Sequence, residues 1–173
     1  RVVDKMYTKG VSSVLDYSVE GKEEEAQFDA ALNMTLKTIE FAREREAIPF
    51  AVFKPTGFGR LALYEKVGDK APLTENEQKE WNRVIERFDI ACKTAFEKDV
   101  LLLIDAEESW MQDAADDLVT EMMRKYNKEK AIVFNTLQMY RWDRLEYLKK
   151  LHEQAKKEGF FIENKTYHFK ISK

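Results

Sequence analysis

Asp105, Glu107 and Glu108 follow directly on five apolar residues, Val100–Ile104, and at that junction the sequence offers chemistry. An unbroken apolar run without alternation reads as a strand buried on both faces, as in a parallel sheet covered by helices. Carboxylates at its C-terminal end stand where α/β sheets and barrels keep their ligands. Lys54 holds the equivalent place after Phe50–Phe53, biased towards extended backbone by the proline that follows it. A partly buried ammonium needs a partner, and Asp105 is the obvious one: at about 4 Å and an effective dielectric of 20 the two gain roughly 4 kcal/mol. Two readings stay open. Either the two form a structural ion pair, or a ligand carrying both charges lies between them. A zwitterionic amino acid fits the second, its carboxylate on the cation and its amine beside the carboxylate.

Positioning these groups takes strands that end side by side, and the hydrophobic pattern supplies strands alternating with helices. Val11–Leu15 is the first expected strand, followed by a helix from about Glu23 to Glu46 with Phe28, Leu32, Leu36 and Ile39 at helical spacing. The second strand is Phe50–Phe53, and the long connection Pro55–Pro72 has room for a short helix at Leu61–Lys66. Thr74 and Glu77 make a capping box for a long helix with a core stripe of Trp81, Val84, Ile85, Phe88, Cys92 and Phe96. Strand three, Val100–Ile104, leads to a helix at about Gln112–Tyr126 with Leu118, Val119, Met122 and Met123 inward, then to strand four, Ala131–Phe134. A last helix at about Trp142–Glu158 buries Leu145, Leu148 and Leu151 and stops at Gly159, before a fifth strand beginning at Phe160–Ile162. Glu107 and Glu108 are expected to open the helix after strand three, and Glu23–Glu25 the helix before strand two, where acidic residues suit the helix dipole. Trp110 and Trp142 read as packing residues.

Four such units and a further strand imply a parallel sheet with two possible closures. A nucleotide-binding open sheet should carry a glycine-rich phosphate loop after its first strand, and VLDYSVEG has none. In a barrel each strand delivers a polar side chain to one rim, and these strands end in Asp16, Lys54, Asp105 and Asn135. The expected fold class is therefore α/β, a parallel (β/α)8 TIM-type barrel. A complete one takes about 250 residues, so this chain of 173 holds only about four βα units plus a fifth strand, a partial barrel.

Composition narrows the function classes. With 44% hydrophobic residues the chain can bury one core, and its length suits one domain. The balance of 32 acidic against 29 basic residues leaves no cationic footprint for nucleic acid. Cys92 is the only cysteine, which excludes an intrachain disulfide or a CxxC motif and leaves it as a packed helix residue. There is no apolar run of membrane-spanning length, and RVVDKMYTKG lacks the apolar core of a secretion signal, so a soluble, unsecreted chain is expected. His152 and His168 find no second well-placed partner, so neither a metal site nor a protein nucleophile is expected.

In order and spacing, Asp16-Tyr17-Ser18-Val19-Glu20, Phe53-Lys54, Ile104-Asp105-Ala106-Glu107 and Phe134-Asn135-Thr136-Leu137-Gln138 resemble the first four strands of the proline dehydrogenase family, flavin-dependent (β/α)8 barrels. The resemblance covers roughly Gly10 to Ile162. It makes residues 1–162 the first half of the barrel and leaves residues 163–173 as a tail without family counterpart, in which Tyr167–Ser172 alternates like an edge strand. The reaction it implies is oxidation of L-proline to 1-pyrroline-5-carboxylate with hydride transfer to FAD and onward electron transfer to a quinone. Lys54 and Asp105 then become substrate-site charges with Ala106 beside the ligand. Asn135 and Gln138 become cofactor-side residues, Asn135 approaching the flavin, and Glu20 the carboxylate of a gating ion pair with an arginine from the last helix. The implied location is the cytoplasm, peripheral to the inner membrane, in a bacterium, and the mitochondrion in a eukaryote.

The sequence departs from the family after Ile162: a basic Arg-Gly-Ala-Tyr segment is replaced by Glu163-Asn164-Lys165-Thr166-Tyr167-His168. Without the remaining βα units and the paired arginines that grip the proline carboxylate, this chain alone is expected neither to oxidise proline nor to hold FAD tightly. Its open edges are expected to pair with another copy. The alternative reading is a non-catalytic barrel fragment that serves as an interaction or assembly module.

Overall fold

The computed structural model describes residues 2–16, 21 and 23–167. After a short helix α1 (Val2–Tyr7), the chain makes a single parallel bridge, Leu15 to Ala51, and enters α2 (Glu25–Arg43). Strand β1 (Phe50–Phe53) is followed by a 3-10 turn at Pro55–Gly57, then α3 (Leu61–Gly68) and α4 (Glu75–Lys98). Strand β2 (Leu101–Ile104), α5 (Gln112–Tyr126), β3 (Val133–Gln138), α6 (Arg144–Glu158) and β4 (Asn164–Tyr167) complete it.

The strands lie in the order β1-β2-β3-β4, every pair parallel. Chain order and spatial order coincide, as in a barrel that winds one way; a doubly wound sheet reverses at a switch point. The sheet is thus an unclosed arc of a barrel, as expected from sequence.

Strand side chains alternate between faces. One face of β1 and β2, with Ala51, Phe53, Leu102 and Ile104, packs under the helix layer: Phe53 stacks on Phe58 at 4.4 Å and meets the Phe88 ring edge-on. The opposite face carries Phe50, Leu103 and Phe134, with the Phe50 and Phe134 rings edge to face at 5.1 Å. Lys54, Asp105 and Thr136 continue this second face at the C-terminal ends, where they touch one another.

Local signals account for most boundaries. The capping box at α4 forms, with the Thr74 hydroxyl accepting from the Glu77 amide and the Glu77 carboxylate from the Thr74 amide. A second box opens α2, in which Gln27 reaches back to the Glu24 amide. Gly159 ends α6 at φ +72, the left-handed region where a side chain would be strained.

Four expectations need correction. Among the described residues the first strand, Val11–Leu15, reduces to one bridge, and Val11, Val14 and Leu15 keep a third to a half of their surface exposed. The fourth strand is Val133–Gln138 rather than Ala131–Phe134: its polar residues look like a loop but find buried partners. The fifth strand forms at Asn164–Tyr167, not at Phe160–Ile162. Asn127, fully buried at the end of α5, fastens that earlier segment instead: it donates to the carbonyls of Val133 and Phe161 and accepts from the amides of Ile132 and Val133. Finally, Trp110 and Trp142 are exposed, the latter 94%, as are Leu145, Phe96 and Ile85, so they lie outside the buried core, and Phe96 keeps a tilted ring contact with Tyr126 at 5.7 Å.

Candidate functional site at the strand ends

Lys54 leaves β1 in extended backbone and its Nζ lies 3.3 Å from Asp105 Oδ2. The Thr136 hydroxyl donates to the other Asp105 oxygen, also at 3.3 Å. The two side chains keep 24% and 13% of their surface in solvent, so the pair is sheltered but reachable. Burial depresses the Lys54 ammonium, and the nearby carboxylates Asp105, Asp16 and Glu107 outweigh it, leaving the pKa above its ordinary value. One cation therefore stands among three carboxylates.

Glu107 does not start a helix. It sits in the loop after β2, folded back so that its carboxylate accepts from the Thr56 amide at 2.8 Å and the Thr56 hydroxyl at 2.7 Å, tying this loop to the one after β1. Its main chain is held as well: its amide donates to Gln112 Oε1 at 3.0 Å and its carbonyl accepts from Gln138 Nε2 at 2.8 Å. Burial raises its pKa despite the Thr56 hydrogen bonds. Glu108 remains in the same loop, since α5 begins only at Gln112.

Two clefts open on either side of this loop. The first, about 390 Å³, is lined by Lys54, Thr56, Ala106 and Glu107, with Glu23 across from them. The second, about 640 Å³, is lined by Glu107, Glu108, Gln138, Tyr140, Arg141 and Trp142. Of the expected residues, Lys54 and Ala106 line the first cleft, Asp105 adjoins it through its pair with Lys54, and Gln138 lines the second.

Asn135 is corrected. Its side chain turns to the helix layer, 1% exposed, and donates to Asp116 of α5 at 3.0 Å. The reason is the two-residue period of a strand: if Thr136 and Gln138 face the rim, Asn135 cannot. Thr136 is the residue β3 delivers there, and sequence reading missed it, as it missed Thr56 and Gln112. The phase of the polar run relative to Phe134 was the available signal. Glu20 lies outside the described residues, as does His168.

Would these residues suit a flavin? With its amide nitrogen committed to the Glu107 carbonyl, Gln138 keeps its oxygen as an acceptor for a ring N–H. Arg141, the cation lining the second cleft, is already paired with Asp143, and Glu107 and Glu108 flank it. The described residues thus fit the edge of a planar ring system and offer no cradle for its phosphates.

The family model for proline dehydrogenase matches residues 1–166. The carbapenem antibiotics biosynthesis protein CarD of Pectobacterium carotovorum is 36% identical over 153 residues, 88% of this chain and 41% of its own length. Human mitochondrial proline dehydrogenase 1 is 39% identical over 99 residues, 55% of this chain and 16% of that protein. Among solved structures, proline utilization A from Bdellovibrio bacteriovorus, inactivated by N-propargylglycine, superposes on 95% of this chain with a TM-score of 0.76 at 16% identity. That match takes in 18% of the larger chain, and this chain spans less than half the length of each of these relatives. No described helix is long and apolar enough to cross a membrane. Partial arc and matched sequence agree, and the chain belongs to the proline dehydrogenase family.

Proposed function

We propose that this chain supplies the first part of an L-proline-oxidising barrel, with Lys54 and Asp105 as the two charges that receive the amino acid and Ala106 as the small residue beside it. The observation that supports this most is the 3.3 Å spacing of an accessible lysine and carboxylate at the rim. The charged groups of an α-amino acid share one carbon, so ligand and pair can dock head to head: carboxylate to Lys54, amine to Asp105. Extra carboxylates from Asp16 and Glu107 favour the amine end and a ligand that arrives as the zwitterion.

Gln138 would hold the ring edge of FAD, beside Glu107 and on the same rim as Lys54 and Asp105. When bound, FAD supplies the hydride acceptor for formation of 1-pyrroline-5-carboxylate. The chain's own contribution is orientation and charge: Lys54 and Asp105 fix the amino acid, and the loop held by Thr56 keeps the two clefts in register. Glu20 serves as the gating carboxylate. The electron acceptor is a quinone, reached by peripheral contact with a membrane, in the bacterial cytoplasm or the mitochondrion. The barrel part ends after β4 rather than at residue 162, since β4 pairs with β3 along its length.

The test uses the full-length protein that contains this chain. L-Proline added without oxygen should bleach the flavin absorbance, and Lys54→Ala should lose that response while folding normally. A protein that neither binds nor responds to proline would overturn the proposal.

A further inference from the structure

The helix layer behind the site contains a buried charge that the reaction does not use. Asp116 of α5 is 3% exposed in its side chain and is paired with Arg144 of α6, 6% exposed, at 2.6 Å. Its other oxygen accepts from Gln112 at 2.9 Å and Asn135 at 3.0 Å. Both amides pass the contact on to backbone at the rim. Gln112 Oε1 takes the Glu107 amide, and Asn135 Oδ1 takes the Thr136 amide at 2.8 Å. The orientation of Gln112 is forced, because a carboxylate can only accept and a backbone amide can only donate.

We infer that Gln112 and Asp116 are positioning residues: from behind the sheet they set the backbone of Glu107 in the loop after β2 and of Thr136 in β3, and with them the rim that these two residues form. Packing alone does not call for this arrangement, since a buried ion pair can often be replaced by apolar residues at no loss of stability. What apolar residues could not do is hold two backbone amides on different elements with one carboxylate. Glu107 thereby has its amide, carbonyl and carboxylate fastened from α5, β3 and the β1 loop respectively. The consequence for amino-acid binding rests on the function proposed above; the fastening itself does not.

Asp116→Ala removes the buried partner of Arg144, leaving it the more exposed Asp143, and can simply unfold the protein. Gln112→Met is the sharper variant, because it keeps the ion pair and nearly the volume and removes the acceptor of the Glu107 amide together with one donor to Asp116, which keeps Asn135 and Arg144. In the full-length protein, protection of the Glu107 amide against hydrogen exchange should fall about tenfold, as for one lost hydrogen bond. The Leu102 and Leu103 amides should keep theirs. KM for L-proline should rise about tenfold with kcat changed less than about threefold, because the loop is misplaced while the reacting atoms are untouched. Unchanged exchange at Glu107, or equal losses at Glu107 and Leu102, would overturn the inference. If the wild-type protein ignores proline, the proposed function fails, and the exchange comparison alone still decides the positioning role.

Discussion

Two opposite charges meet on each face of the same sheet, and they are built differently. Lys54 and Asp105 lie 3.3 Å apart at the rim with 24% and 13% of their side-chain surface exposed. Asp116 and Arg144 lie 2.6 Å apart in the helix layer with 3% and 6% exposed, and two amides satisfy the remaining oxygen of Asp116. The buried pair has its partners fixed, and breaking it strands a charge in a medium of low polarity. The rim pair is loose enough to trade its partner for a ligand's charges. Hydration and saturation of hydrogen bonds, more than charge type, separate structural pairs from candidate binding pairs.

Breaking the buried pair should have the largest effect. Arg144→Met leaves Asp116 uncompensated and should cost about 3–5 kcal/mol in urea unfolding; a loss below about 1 kcal/mol would place this pair in the class of surface contacts. Lys54→Ala should do the reverse, lowering kcat/KM for L-proline at least a hundredfold, about 2.7 kcal/mol, with little change in melting temperature. Equal losses of turnover and folded protein would make Lys54 a structural residue after all. A control far from both pairs, Thr74→Ala at the α4 cap, should cost about 1 kcal/mol of stability and leave KM unchanged.

The smallest effect is a pH dependence on the surface. Lys66, with help from Thr74, lowers the Glu77 pKa from 4.5 to about 2, and Arg144 and Arg141 lower that of Asp143 from 3.8 to about 2. Carboxylates depressed in the folded state stabilise it above their unfolded values, and that contribution disappears as pH falls from about 4.5 towards 2. Glu107 runs the other way, since burial raises its pKa and protonation favours the folded form. Glu77→Gln should therefore flatten the fall of melting temperature between pH 5 and pH 2.5, roughly the window set by those shifts. An unaltered slope would assign acid sensitivity elsewhere.

Periodicity located β1 and α5 to the residue, because Phe50–Phe53 and Gln112–Tyr126 have their signals within themselves. Val133–Gln138 has not: Asn135 and Thr136 are tolerable in a strand only because Asp116 and Asp105 satisfy them, and those partners are distant in sequence. The same holds for Glu107, which as an isolated residue suits a helix start and in the fold meets Thr56.

Sequence alone determined the βα alternation, the placement of Lys54 and Asp105 at neighbouring strand ends and the family resemblance, since each is carried by local pattern or residue identity. Tertiary structure decided which residue of Asn135-Thr136 faces the rim, how Glu107 is fastened and that Asp116 stands behind both the Glu107 loop and β3. Strand phase and long-range hydrogen bonds exist only once distant segments pack, and a one-residue change of phase moves a side chain to the opposite face.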